Sequence, residues 1–222
     1  MPVEILLHKG LWDIAANGGG RGVFGQWSQM YHGENWAQHL GQPIYNDEDR
    51  YTPRPGINEA IWDEMYFALL DLNEAQRLAD AEGEDNIWAI AEIMTVYGFM
   101  ILTDYYGDVP YTDALALLAE DAVAFPAYTS QATIYPDLIA RLITAAARIN
   151  TGAAVTFGDF DPIYQGDVAG WRMFANSLRL RLAMRMSNAS AAAAGAAFSA
   201  AWSATRFTSV AEHADVDWQA VH

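Results

Sequence analysis

The sequence predicts an all-α fold of antiparallel helix pairs joined by long irregular loops. Three observations lead there. Apolar residues recur at helical spacing through two adjoining stretches, 58–82 and 86–106, with only the turn GEDN (83–86) between them. Further stretches of the same kind follow at about 133–150, 167–187 and 190–204, each bounded by Gly, Pro, Asp or Ser. No run of period-two alternation lies between turn signals, so no strand is expected.

In chain order, residues 2–16 form the first helix, with Ile5, Leu6, Trp12 and Ile14 on its apolar side. GGGRG at 18–22 ends it. The Lys-Ser/Thr pair of a phosphate-binding loop is missing there, so the glycines mark a helix end. Residues 23–56 mix aromatics with amides and acids. Pro43, Pro53 and Pro55 make their second half an extended loop. Asn58 is the expected N-cap of a helix to Glu82, whose stripe is Ile61, Met65, Ala68, Leu72 and Ala75. The next helix, Asn86 to Tyr106, sets Ile87, Ile90, Met94, Tyr97, Ile101 and Tyr105 on one face. Two long helices joined by so short a turn pack antiparallel.

Gly107 follows the last periodic residue, where a positive φ favours glycine, and Pro110 forbids continuation. The stretch YGDVP therefore reads as a helix stop, with Asp108 holding turn amides, rather than as a ligand loop. Pro136 must sit in the first turn of the helix at 133–150 or kink it. Asp167 caps the next helix, with Trp171, Phe174, Leu178 and Leu182 inward. The pairing resembles tetratricopeptide repeats, without a clean 34-residue period.

Composition narrows the function. The chain has 222 residues, of which 52% are hydrophobic and 13% aromatic, so it is not a disordered sequence. Its formal net charge of −16, with Lys9 its sole lysine, repels phosphate backbones and argues against nucleic acid. Cysteine is absent, which removes disulfides, thiolate nucleophiles and cysteine-ligated zinc. No apolar run approaches the roughly 20 residues of a spanning helix. The N-terminal residues lack the basic region and small-residue cleavage site of a signal peptide. The chain is thus read as soluble, with any export signal outside it.

No Ser-His-Asp order and no HExxH is legible. His32, Glu34 and His39 match no helical metal-ligand spacing, and no metal or cofactor is assigned. NDED (46–49) lacks the order of a calcium-binding EF-hand and reads as a solvated acidic loop. Asp47 and Asp49 leave one enzymatic alternative, the carboxylate pair of an all-α glycoside hydrolase. Arg179, Arg181 and Arg185 are expected to pair with acids of neighbouring helices. The best ligand candidate is the segment 24–51. Trp27, Trp36, Tyr45 and Tyr51 offer faces for sugar rings, and Gln29, Asp47, Asp49 and Arg50 offer partners for hydroxyls. The competing reading is that these rings fasten the segment to the helices.

Several motifs carry a resemblance. LTDYYGDVPYTDAL (102–115), QWSQ (26–29), YNDEDRYTPR (45–54), INEAIWDEMY (57–66), IYPDLI (134–139) and W-x-x-FANSLRLRLAMRMS (171–187) resemble, in order, segments of the SusD/RagB-like nutrient-binding outer-membrane lipoproteins. The resemblance covers roughly residues 2–190. It implies a tetratricopeptide-like scaffold on the outer face of the outer membrane. It implies non-enzymatic capture of glycans or oligopeptides for a SusC-like TonB-dependent transporter. It also implies a membrane anchor through a lipidated cysteine not present in this chain. Residues 1–222 are then one helical domain, the N-terminal portion of a longer protein. A helical-repeat scaffold for protein partners remains the third alternative.

Overall fold

The computed structural model describes residues 1–15, 33–44, 46–116 and 123–216. Among them are six α-helices: α1 (Val3–Ala15), α2 (Pro55–Glu82), α3 (Asp85–Tyr106), α4 (Gln131–Arg148), α5 (Val168–Arg185) and α6 (Ala191–Trp202). A two-residue antiparallel ladder joins β1 (Val109–Pro110) to β2 (Tyr128–Thr129), a pairing too short for periodicity to foresee. Each helix from α2 on packs against its successor, and α1 lies against α2 and α3.

The helix α3 is the centre of the molecule. Nearly every residue from Asn86 to Thr103 is buried, not one face as its periodicity implied. Tyr105, assigned inward, is 47% exposed at the helix end. By length and composition α3 would suit a membrane, contrary to the expectation from the sequence, but 89% of its apolar window is buried inside the protein. The buried side chains form one contiguous cluster from α1 to α5. Gly98 allows a close approach: a Cβ there would meet Leu69 Cδ2 of α2 at 2.8 Å.

A helix buried this way must satisfy its polar groups internally. Glu92 is 4% exposed. It takes two hydrogen bonds from Arg141 of α4, at 2.6 and 2.8 Å, and one from Gln76 Nε2 of α2, at 2.8 Å. At the other end, Asn86 and Asn150 form a two-bond clamp from the start of α3 to the end of α4, at 2.8 and 3.0 Å.

Helix ends correct several expectations. Pro55 occupies the first turn of α2 and Arg54 precedes it, so Asn58 lies inside the helix rather than capping it. Ile5, assigned to the apolar side of α1, is 42% exposed, while Leu7 and Leu11 are fully buried. Ser130 caps α4 by accepting from Thr133 N, so the helix starts at Gln131 and Pro136 sits inside it. Asp167 caps α5 as expected, accepting from Ala169 N at 3.0 Å. Before it lies Asp161, 2% exposed, whose carboxylate accepts the amides of Ile163, Tyr164 and Gly166 and the indole N–H of Trp171. Of the three arginines expected to form ion pairs, Arg185 reaches Asp104 at 2.7 Å. Arg179 is buried and donates to the amide oxygen of Asn176 instead.

Gly107 ends α3 with φ 76° and ψ −117°. The φ is positive as expected, but the ψ is far from the left-handed helical value and suits glycine alone. Its N–H donates to Thr103 O at 2.9 Å, and the Thr103 hydroxyl donates back to Gly107 O at 2.6 Å. The chain then drives Val109 into the core. Asp108 holds an amide, as expected of it, but that of Gln131 at the start of α4 rather than one in its own turn. Replacing Gly107 with valine is expected to cost about 2 kcal/mol of stability through backbone strain alone. A Gly107→Val protein that unfolds at the wild-type denaturant midpoint would refute this.

Candidate functional site

Residues 33–44 and 46–54 fold into a self-clasped loop ahead of α2. Its first arm makes a short helical turn, with Ala37 N donating to Gly33 O and His39 N to Glu34 O. Its second arm is the 3-10 turn Glu48–Arg50, closed by Tyr51 in the left-handed region at φ 57°. Hydrogen bonds join the arms. Asp49 Oδ2 accepts the amide of Gln42 at 2.7 Å, and the Tyr51 hydroxyl donates to Trp36 O at 3.1 Å. Gln38 Nε2 in turn donates to the Tyr51 hydroxyl at 3.1 Å.

The loop is anchored by a residue the sequence did not single out. Glu48 is fully buried and paired in two-point fashion with Arg54, Nε to Oε1 at 2.6 Å and Nη2 to Oε2 at 3.0 Å. The acidic run NDED therefore divides, and the solvated-loop reading fails at Glu48. Asp47 is exposed and Asp49 is half-buried as the clip between arms. Its second oxygen, Oδ1, is buried without a hydrogen-bond partner.

The loop exposes two of the candidate rings and ties the Tyr51 hydroxyl to the Trp36 backbone carbonyl. Trp36 is 38% exposed and Tyr51 56% exposed. Arg50 is exposed beside them in sequence. Trp27, Gln29 and Tyr45 lie outside the described residues, as does His32. Among the described residues no group of three His, Asp or Glu side chains is placed to hold a metal ion.

A second aromatic surface was assigned to the scaffold in the sequence. Trp62 of α2 lies 5.0 Å from Tyr66, 5.1 Å from Tyr106 at the end of α3, and 6.2 Å from Tyr128 of β2, between ring centroids. Tyr66 donates to Pro110 O at 2.7 Å and Tyr106 to Asn58 O at 2.8 Å. Burial, with lesser contributions from Tyr105 and Asp63, pushes the Tyr106 phenol up to about 12, and burial raises Tyr66 as well. Both therefore stay protonated donors at neutral pH. The i, i+4 spacing of Trp62 and Tyr66 reads as ordinary core packing, and only the return of the chain at Tyr128 reveals the cluster. A cavity of about 250 Å³ opens beside it.

A third feature is polar. Arg141, beyond its pair with Glu92, donates to the Tyr111 hydroxyl at 3.0 Å, and that hydroxyl donates to Asp137. Thr112 and Thr133 complete a cleft of about 430 Å³ there.

A SusD-like family model, described as starch-binding and associating with outer membrane, matches residues 21–222. No curated protein matches the chain in sequence. Among solved structures, a SusD homologue from Parabacteroides distasonis superposes with a TM-score of 0.83 at 26% identity, over 96% of this chain and 41% of its own. A SusD-like protein from Bacteroidetes AC2a gives 0.81 at 26% identity, over 97% and 39%. A chitin-binding SusD homolog from Flavobacterium johnsoniae gives 0.77 at 26% identity, over 90% and 42%. The chain thus spans about two-fifths of the length of these structures.

The Glu48–Arg54 anchor gives a direct test of the loop. Arg54→Met leaves a buried carboxylate without its cation and is expected to cost about 3 kcal/mol or more in urea unfolding. Adding Glu48→Gln is expected to restore much of that loss. Equal stability of the single variant and the wild type would show that the pair does not hold the loop.

Proposed function

The chain belongs to the SusD-like family, and from that premise we propose that it captures glycans at the outer face of the outer membrane, without turning them over, for delivery to a SusC-like TonB-dependent transporter. One observation on the molecule carries this: Trp36 and Tyr51, joined by a hydrogen bond, stay exposed on a loop whose own buried ion pair keeps it folded. A ring held this way presents an apolar face at little entropic cost, which suits the face of a sugar. Arg50 and Asp47 supply charged partners for hydroxyls at its edge. Asp49, by contrast, is engaged in the loop's own closure, which weakens its case as one of two hydrolytic carboxylates.

The proposed ligand surface comprises Trp27, Gln29, Trp36, Tyr45, Asp47, Arg50 and Tyr51, with Asp49 in support. The family description and the chitin-binding homolog favour a glycan over an oligopeptide. The chain's share of those longer structures, 39–42%, supports its being one helical portion of a larger protein, to which a lipid anchor and the transporter contacts also belong.

Calorimetry against maltooligosaccharides and chitooligosaccharides tests this, alongside an assay for released reducing sugar. Binding without release is expected. The double variant Trp36→Ala with Tyr51→Ala, shown folded by circular dichroism, is expected to bind about thirtyfold more weakly, at roughly 1 kcal/mol per stacked ring. Sugar release that disappears in Asp47→Asn would replace capture with hydrolysis.

A further inference from the structure

We infer that the Trp62 surface is a second carbohydrate contact, selective for a sugar that carries an N-acetyl group. This rests on the glycan reading above and adds a site and a ligand class to it. Structural aromatic clusters normally bury their rings, yet Tyr128 is 66% exposed while its plane lies within 28° of that of Trp62. The platform is rigid. The hydroxyls of Tyr66 and Tyr106 are tied to backbone carbonyls, so neither ring turns without breaking a hydrogen bond.

The chemistry beside the platform is specific. The 250 Å³ cavity has small apolar walls, among them Leu70, Pro110, Ala114 and Ala124, and among the described residues that line it Asp113 contributes the one carboxylate. A plain pyranose presents hydroxyls that such walls leave unsatisfied, at a cost in affinity. An N-acetyl group fits both features: its methyl enters the apolar walls, its amide N–H donates to Asp113, and the sugar's carbon face lies on the exposed Tyr128 ring beside the half-buried Trp62. The net charge of −16 disfavours acidic sugars and leaves a neutral N-acetylhexosamine as the matching class.

The experiment compares tri-N-acetylchitotriose with cellotriose, which has the same linkage and a hydroxyl in place of each acetamido group, by calorimetry on the 222-residue chain. The acetylated trimer is expected to bind about tenfold more tightly. Asp113→Ala and Tyr128→Ala, both at exposed positions, are each expected to weaken it about fivefold, and Asp113→Ala to erase most of the preference. Equal affinity of the two trimers for the wild type overturns the inference. So do unchanged affinities in both variants when Trp36→Ala with Tyr51→Ala does weaken binding, a result that leaves the glycan reading standing. Loss of capture by a purified transporter in Tyr128→Ala, with trimer affinity intact, overturns it in favour of a protein-docking face. If no oligosaccharide of either series binds the wild type, the glycan reading fails and this inference with it.

Discussion

The carboxylate of Glu92 lies in a helix buried on nearly every side, and much of the molecule is arranged to keep it neutralised. An unpaired charge at such a depth costs several kcal/mol, enough to unfold a domain of ordinary stability. Arg141 arrives from α4 and Gln76 from α2, so the single acid on the inner stretch of α3 fixes the register of three helices at once. Arg141 extends the constraint outward. Burial pulls its pKa down, and the bonds to Glu92 more than offset this, so the guanidinium remains charged and directs a further N–H to Tyr111. Tyr111 packs edge-on against Phe99 of α3, with centroids 4.7 Å apart. The exit strap after Gly107 is thereby bound to the core, and the aromatic surface around Trp62 inherits its rigidity.

The elements most legible in the sequence are those whose determinants lie within one or two turns. Asp167 capping α5, Gly107 ending α3 and Trp171 facing the core all depend on residues nearby in the chain. Asn58 was misassigned because its capping propensity was weighed without Pro55, whose fixed φ and missing N–H suit a first turn better. The exposed pair Trp36 and Tyr51 was recognisable from composition, since aromatics among prolines and amides seldom form a core. Three features were not legible because they are made by the fold. Glu48 looks like any acid of NDED until Arg54 folds back on it. Asp161 gains four donors only when its turn and α5 come together. Trp62 has only the i, i+4 spacing of ordinary helix packing with Tyr66 until β2 returns Tyr128 to it.

The division between scaffold and surface has a consequence for recognition. The helices contribute the buried ion pair, the asparagine clamp and the capped ends, whose polar groups are engaged with one another and with the backbone. Trp36, Tyr51 and Tyr128, the exposed rings assigned to a ligand, sit on the loop before α2 and the strap between α3 and α4, segments that a helical core can hold while their sequences vary. Such an arrangement permits relatives of the same fold to differ in what they bind.

The central claim is that a rigid core presents its ligand contacts on these two segments and on the Trp62 face of α2 beside them. Hydrogen exchange of the chain with and without saturating tri-N-acetylchitotriose tests it most directly. The account predicts added protection within residues 33–51 and 123–129, with the amides of α3 and α5 unchanged. Protection gained along α3 or α5, or binding with no added protection in either segment, would contradict it.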